Sequence, residues 1–363
     1  MDLSGDAQGL DRAVRDAAGA AGAAAENANR APAILLTGVG KRYDIVSCFA
    51  ALTKTIAADP NPLAPAQYAA HVRAAVPPIA DPGYVPALRE LCREHGVGAV
   101  LPLTDLDIEV LARAREQGLL PALVPSAEVA RRTFDKYEAH LLLGELGLPS
   151  PPTVLAGADL DTIRYPVMVK PRKGSGARSI HLAGDASQAR FFIDYVQEPV
   201  MVQWAMGGPE LSIDCLGDAD GRCLNAIPRT MLESRGGESI KGSVVRDEQL
   251  IELGHATMQA LRVRGPATIQ VFRDPEIGVA ITDVNTRFGG AFPGPAYAAH
   301  AGRTYPELIV RLAGGEPIEP HVGEFVAGRT FTRYYWQLEL DGSLRPTGRE
   351  LVPGGPPRPG CHN

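Results

Sequence analysis

The sequence has no apolar run that approaches the roughly 20 residues of a membrane-spanning helix. Its N-terminus is acidic where a secretory signal needs a basic segment followed by an apolar one. Its cysteines are scattered without the CxxC spacing of a zinc site and without a disulfide framework. These absences exclude membrane, secreted and zinc-finger classes and predict a reduced, cytoplasmic protein. The cysteines are Cys48, Cys92, Cys215, Cys223 and Cys361.

Basic residues are not in excess, since the formal net charge of the 363 residues is −6. A protein dedicated to nucleic acid usually carries a basic surface, so we expect no nucleic-acid partner. The overall charge still permits a local basic pocket for a phosphorylated ligand. The length predicts two or three domains, because a domain takes roughly 100–200 residues.

Residues 1–31 are rich in alanine and glycine and contain no large apolar face, which predicts a flexible extension. The character changes at the apolar run Ala33 to Thr37, which is followed by Gly38-Val39-Gly40 and a helical pattern. Further strand and helix units follow, including strands over Ala99–Leu103 and Leu123–Pro125. Such repeats predict a parallel sheet that is buried on both faces. The turn lacks the third glycine of a dinucleotide-binding motif, because position 43 is tyrosine.

Lysines and glycines dominate the next candidate site. Lys136 opens a predicted helix, and Lys170 ends an apolar strand directly before the glycine-rich segment 173–178. A lysine at a strand end beside a glycine loop is suited to contact phosphate, since glycine lets backbone N–H groups approach closely. A solvated lysine and an ordinary loop are the alternatives. The segment is not a P-loop, because no G-K-[ST] sequence ends it.

Polar side chains also mark two neighbouring strands near residue 280. Asp283, Asn285 and Arg287 alternate along one strand and lie beside Gln270 on the next. Carboxylate and amide oxygens suit Mg²⁺, and the arginine suits a developing phosphoryl charge. A solvated strand face is the alternative. Further upstream, Glu210 could accept hydrogen bonds from ribose hydroxyls.

The order and spacing of these features resemble the ATP-grasp superfamily, and most closely the single-module relatives of the carbamoyl-phosphate synthetase large subunit. The resemblance extends from about Ala33 to about Gly315. Six segments carry it in the same order: Ile34 to Gly38, Leu101 to Asp105, Phe134 to Lys136, Tyr165 to Pro171, Gly208 to Asp214, and Asp283 to Gly290.

The resemblance implies a role for each matching residue. Two departures stand out, because Asp283 replaces the more usual glutamate and Thr286 the more usual proline. The implied ATP contacts are Lys136 and Lys170 on phosphates, Ser175, Gly176 and Ala177 in a closing loop, Gln203, Trp204 and Ala205 at the adenine, and Glu210 at the ribose. The implied metal ligands are Gln270, Asp283 and Asn285, and Arg287 stabilises the transition state. Arg229, Arg235 and Lys241 are the expected contacts of the substrate carboxylate, with a charged surface loop as the alternative.

The expected fold is α/β, with a Rossmann-like domain before an α+β ATP-grasp module whose two lobes clamp ATP. The expected boundaries are 32–125 for the first domain, 126–320 for the module with a lid at about 166–205, and 321–363 for a C-terminal segment. The implied activity is an ATP- and Mg²⁺-dependent carboxylate–amine ligase, with Mn²⁺ as a substitute metal. Its implied partners are a small carboxylate, a small amine and a second copy of the chain. A carbamoyl-phosphate- or carboxyphosphate-forming enzyme, a biotin carboxylase and a non-catalytic nucleotide sensor are the alternatives.

Overall fold

The computed structural model describes residues 31–174, 179–235, 238–290, 299–300, 302–334 and 337–350. The predicted extension of residues 1–31 therefore lies outside the described residues, apart from Ala31. Strand and helix units come first and an antiparallel part follows, which confirms the predicted α/β class. No helix in these parts is long and apolar enough to cross a bilayer.

The first sheet is parallel, with the strand order β3-β2-β1-β4. Every residue of β1 is buried, because helices cover both faces of this sheet. Helices α2 and α3 pack on one face, and α1 packs on the other. These elements are β1 (Ala33–Thr37), α1 (Tyr43–Ala50), β2 (Thr55–Asp59), a 3₁₀ helix (Pro65–Ala69), β3 (Val72–Ala75), α2 (Tyr84–His95), β4 (Val97–Pro102) and α3 (Ile108–Glu116).

The predicted strand over Leu123–Pro125 was wrong. Only a single parallel bridge forms there, between Val100 and Ala122. Val100 donates to the carbonyl oxygen of Pro121 and accepts from the N–H of Leu123, and these two hydrogen bonds take the place of a full strand pairing. The apolar pattern was too short to distinguish a strand from an extended connection.

Two consecutive helices, α4 (Ala127–Phe134) and α5 (Lys136–Glu145), connect the first sheet to the rest of the chain. Ser126 caps α4 by accepting a hydrogen bond from the N–H of Val129. Asp135 ends α4 and caps α5, where its carboxylate accepts from two backbone N–H groups. This shared cap fixes Lys136 as the first residue of α5.

A small lobe follows, built on the antiparallel sheet β5-β8-β6-β7. Its apolar core contains Val167, Val169 and Val202, and α6 packs beside them. The lobe also includes β5, which precedes the segment that was predicted as the lid. The elements are β5 (Thr153–Leu155), β6 (Val167–Pro171), β7 (His181–Ala183), α6 (Ala186–Tyr195) and β8 (Val200–Trp204).

The largest antiparallel sheet has the order β10-β9-β13-β14. Leu211, Ile213 and Cys215 alternate along β9 and pack with the apolar side chains of α7. The opposite face of β9 therefore carries the intervening polar residues, Glu210 and Asp214 among them. The elements are β9 (Glu210–Gly217), β10 (Cys223–Thr230), α7 (Glu248–Leu261), β13 (Gly265–Asp274) and β14 (Gly278–Asn285).

The chain then returns to the first sheet. Helix α8 (Tyr305–Ala313) packs on the face of β1 that α1 also covers. Thr304 and Glu307 form a capping box that fixes its first turn. The remaining strands form the sheet β11-β12-β15 and the hairpin of β16 with β17. They are β11 (Glu233–Arg235), β12 (Glu238–Ser243), β15 (Thr330–Thr332), β16 (Leu338–Leu340) and β17 (Pro346–Glu350).

Candidate functional site

A central cleft lies where the first domain, helices α4 and α5 and strand β14 meet. Three of the predicted site residues line it, namely Lys136, Asp283 and Asn285. The cleft therefore brings together residues that are far apart in the sequence. Its complete lining is Asp105, Ile108, Ala130, Thr133, Phe134, Lys136, Gly174, Asp283, Val284, Asn285 and Thr286.

Lys136 is held at the start of α5 against the glycine loop. Its ammonium group donates a hydrogen bond of 2.6 Å to the carbonyl oxygen of Gly174. Its backbone N–H donates to the carbonyl oxygen of Arg172 at 2.7 Å. The Arg172 guanidinium also pairs with the buried Asp135 at 2.8 Å. Lys136 therefore stands at the base of segment 173–178, whose residues Ser175, Gly176 and Ala177 lie outside the described residues.

Lys170 is a buried cation in β6. Its ammonium group donates to Oε1 of Gln203 at 2.8 Å, and Nε2 of Gln203 donates to the Thr153 hydroxyl at 2.9 Å. Burial lowers the pKa of Lys170 to about 8, while the negative charges of Asp283 and Glu210 oppose that shift. This electrostatic coupling joins the small lobe to the polar face of the large sheet. In this arrangement the side chain of Gln203, which was predicted at the adenine, binds Lys170 and Thr153.

The predicted metal ligands meet on the polar face of the large sheet. Gln270 lies opposite Asp283 in the register of β13 with β14, as the sequence predicted. Nδ2 of Asn285 donates to Oε1 of Gln270 at 3.4 Å, and Nε2 of Gln270 donates to Glu210 at 2.9 Å. Burial raises the pKa of Glu210, against the hydrogen bond from Gln270 and the positive charge of Arg229.

These residues fit a magnesium ion that a ligand helps to hold. Among the described residues, the carboxylate of Asp283 has no hydrogen-bond or ion-pair partner, and no three His, Cys, Asp or Glu side chains cluster at a metal distance. One free carboxylate with two amide oxygens supplies few hard ligands, which suits Mg²⁺ completed by water and phosphate. The amide oxygens of Gln270 and Asn285 each accept one hydrogen bond here, which leaves each oxygen a second lone pair for a metal.

Arg287 lies directly beyond β14 at the edge of the cleft. Its Nη2 donates to Asp105 at 2.7 Å and to Oδ1 of Asn285 at 3.2 Å, and its Nη1 donates to the Phe288 carbonyl oxygen at 3.1 Å. The Arg287 and Asp105 side chains are 15% and 17% exposed, so water screens this ion pair only in part. Sequence reasoning placed Asp105 after β4 but gave it no role. Its position at the carboxyl end of a parallel strand could have indicated a functional role, because α/β folds bind ligands there.

The predicted adenine contacts are partly engaged with the protein itself. The backbone N–H groups of Trp204 and Ala205 donate to Pro152 and Pro166. The Arg164 guanidinium also covers the Trp204 ring at 4.4 Å from the ring centre. By contrast, the N–H of Met206 has no backbone partner in the described part of the chain.

The three predicted carboxylate contacts lie in different surroundings. Arg229 is buried and donates from Nε to Asp214 at 2.7 Å, whereas its buried Nη1 has no partner among the described residues. Lys241 pairs with Glu233 at 2.6 Å on a half-exposed hairpin and does not line the cleft described above. Arg235 ends β11, and its side chain lies outside the described residues. Only Arg229 is therefore placed on the sheet that carries the metal ligands.

Comparison with known proteins identifies two family models. Residues 34–120 match the PylC-like N-terminal domain, and residues 196–333 match an ATP-grasp domain of the biosynthetic pathway with the Ter operon. The first match covers the parallel sheet, and the second covers the polar sheet face with Glu210, Gln270, Asp283 and Asn285.

Individual relatives match at low identity. Carbamoyl-phosphate synthase of Methanobrevibacter smithii is 25% identical over 36% of this chain and 38% of its own length. D-alanine–D-alanine ligase of Frankia casuarinae is 27% identical over 54% of this chain and 59% of its own length. The chain spans less than two thirds of the curated relatives it matches. The solved L-amino acid ligase of Bacillus licheniformis has the same fold, with a TM-score of 0.63, 17% identity, and coverage of 82% of this chain and 77% of that one.

Proposed function

We propose that the chain is an ATP- and Mg²⁺-dependent carboxylate–amine ligase of the ATP-grasp superfamily, which the two matching family models support. The reaction forms an amide bond through an acyl phosphate and releases ADP and phosphate. Amino acids are the proposed substrates, in keeping with the ligase structure from Bacillus licheniformis that this fold resembles. The observation that carries the proposal is the buried Lys170, which is coupled to the unpaired carboxylate of Asp283.

ATP is the ligand whose chemistry matches these charges, because its phosphates are anionic and bind Mg²⁺. Lys136 and Lys170 contact phosphate oxygens, since a buried cation gains most from an anion in a site of low dielectric. Glu210 accepts hydrogen bonds from the ribose hydroxyls. At the adenine edge, the N–H of Met206 is the available donor, because the N–H groups of Trp204 and Ala205 already donate to carbonyl oxygens. Ser175, Gly176 and Ala177 are proposed as further contacts of the phosphates.

Asp283, Gln270 and Asn285 would hold Mg²⁺ together with the phosphates. When bound, the ion would neutralise phosphate charge and so assist transfer of the γ-phosphoryl group. Asp283 would supply a carboxylate oxygen, and the two amides would supply carbonyl oxygens. The shorter Asp283 in place of glutamate supplies the same hard oxygen type with less reach.

The protein acts mainly by positioning two successive attacks. A carboxylate oxygen of the first substrate attacks the γ-phosphorus, the bond to the ADP oxygen breaks, and an acyl phosphate forms. The amine nitrogen then attacks the acyl carbon, phosphate leaves, and the nitrogen loses a proton. Arg287 stabilises the negative charge that develops in both steps. Arg229, Arg235 and Lys241 are the proposed contacts of the carboxylate, and Arg229 is the one on the site's sheet.

The test is to incubate the full chain with Mg-ATP and amino-acid pools and to measure ADP, AMP and phosphate. We expect ADP and phosphate only when a carboxylate and an amine are both present, and no product after chelation of Mg²⁺. A requirement for bicarbonate would favour the carboxyphosphate alternative, which the similarity to carbamoyl-phosphate synthase motivates. AMP and pyrophosphate as products would contradict the acyl-phosphate route, and nucleotide binding without turnover would indicate a sensor.

A further inference from the structure

The loop that carries Arg287 is held by residues from outside its own sheet. Arg42, which precedes α1 in the first domain, donates to the carbonyl oxygen of Gly289 at 2.7 Å and lies 3.4 Å from that of Phe288. Arg333, from the C-terminal part, donates to the carbonyl oxygen of Gly290 at 2.7 Å. Among the described residues, Asp105 supplies the one side-chain carboxylate that contacts Arg287 itself. The first domain therefore fixes both the backbone and the side chain at this point.

The hydrogen bonds of Arg287 leave part of its guanidinium unused. A guanidinium has five N–H donors. Two Nη2 donors reach Asp105 and Asn285, and one Nη1 donor reaches the Phe288 carbonyl oxygen. Nε–H and the second Nη1–H have no partner among the described residues. The three engaged donors fix the plane of the group, and the two others are left for an anion.

Asp105 also begins a continuous series of side-chain contacts across the cleft. Asp105 binds Arg287, Arg287 binds Asn285, Asn285 binds Gln270, and Gln270 binds Glu210. The contacts measure 2.7, 3.2, 3.4 and 2.9 Å in that order. Asp105 is the member of the series whose carboxylate contacts Arg287 directly, so it is the contact that anchors the arginine most strongly.

We propose that Asp105 is a positioning residue that aims Arg287 at the transferring group. This inference rests on the proposed function, in which Arg287 stabilises phosphoryl and acyl-phosphate charge. Of the three acceptors that hold the guanidinium, Asp105 is the charged one, whereas Asn285 and the Phe288 carbonyl oxygen are neutral. The first domain thereby contributes to catalysis through a residue that does not itself contact the reacting atoms.

The experiment uses Asp105→Asn in the full chain, with Glu109→Gln as the matched control. Glu109 lies four residues further along and pairs with Arg113 on an exposed helix surface, away from the cleft. With Mg-ATP and the amino-acid pool, Asp105→Asn should lower kcat by about 10- to 100-fold, because a small displacement of a catalytic group has an effect of that size. The dissociation constant of a fluorescent ATP analogue should change little. Asp105→Glu, which keeps the carboxylate, should recover part of the rate.

A second measurement reports on Arg287 without any turnover. Phenylglyoxal reacts with arginine side chains, and mass spectrometry of peptides gives the rate at each position. Arg287 should react severalfold faster in Asp105→Asn than in the wild type, and at the wild-type rate in Glu109→Gln. An unchanged rate at Arg287 would overturn the proposal, as would an equal loss of ATP binding, thermal stability and turnover. If the wild type forms no ADP with any pool, the proposed function has failed, and the labelling rates alone decide the role of Asp105.

Discussion

Lys170 makes the stability of the ligand-free protein depend on pH in a predictable direction. Burial is the main cause that lowers its pKa from 10.5 to about 8 in the folded chain. Between those two values the unfolded chain binds the proton more tightly than the folded chain does. Stability should therefore rise with pH across this window, because the unfolded state carries more protons. Below pH 8 the lysine is charged in both states, and the full destabilisation remains.

The magnitude follows from the same two pKa values. A change of this size corresponds to about 3 kcal/mol of destabilisation while the buried lysine is charged. Replacing Lys170 by methionine removes that penalty but leaves Oε1 of Gln203 without its donor, which costs about 1–3 kcal/mol. At pH 7 the variant should thus be as stable as the wild type or up to about 2 kcal/mol more stable. ATP binding should be severely weakened, because the buried cation that meets the phosphates is gone.

The assay is urea unfolding of the wild type and Lys170→Met from pH 7 to 11, without nucleotide. The two proteins share all other titrating groups. The contributions of those groups therefore cancel in the difference between the two unfolding free energies. We expect the wild type to gain about 3 kcal/mol relative to the variant between pH 8 and 10.5. Two parallel pH profiles would refute the reasoning, since they would mean that Lys170 titrates normally. Lys173→Met, at the exposed start of the glycine loop, is the control for replacing a lysine by methionine outside the buried position.

Three other variants test separate parts of the site. Asp283→Asn should weaken Mg²⁺-dependent ATP binding by about tenfold or more. If both proteins bound ATP with the same affinity with and without chelator, Asp283 would not be a magnesium ligand. Gly208→Ala places a Cβ 1.6 Å from the carbonyl oxygen of Arg273 and should lower unfolding stability by about 3 kcal/mol, whereas Gly207→Ala meets only ordinary contacts. Lys241→Met should change stability by less than about 0.5 kcal/mol, since its ion pair is half-exposed. It should raise the KM for the carboxylate, and an unchanged KM would remove Lys241 from the site.

Local sequence patterns were sufficient for several strands and for much of the site's polar face. The alternation along β14 beside Gln270 predicted that Gln270 would lie beside Asp283, and the register confirms it. The segment Asp218-Ala219-Asp220-Gly221 is typical of a hairpin turn, and it joins β9 to β10. These predictions succeed because strand alternation and hairpin turns depend on neighbouring residues alone.

Contacts between distant segments could not be predicted in this way. Asp105 and Arg287 are 182 positions apart, and only the docking of the first domain on the large sheet brings them together. The engaged N–H groups of Trp204 and Ala205 depend likewise on the path of two proline-containing connections. No periodicity or motif in one segment contains that information. Sequence reasoning therefore found the residue types of the site more readily than their partners.

The predicted boundary near residue 125 does not coincide with a boundary of the hydrophobic core. Ile34 of β1 belongs to the same buried cluster as Ile227 of β10 and Tyr305 of α8. The fully buried Tyr305 also donates from its hydroxyl to the carbonyl oxygen of Asp214 in β9, at 2.8 Å. Helix α8, which packs on the first sheet, thus also contacts β9, the strand that carries Glu210. This shared core packs the first domain on the large sheet, and that packing places Asp105 beside Arg287.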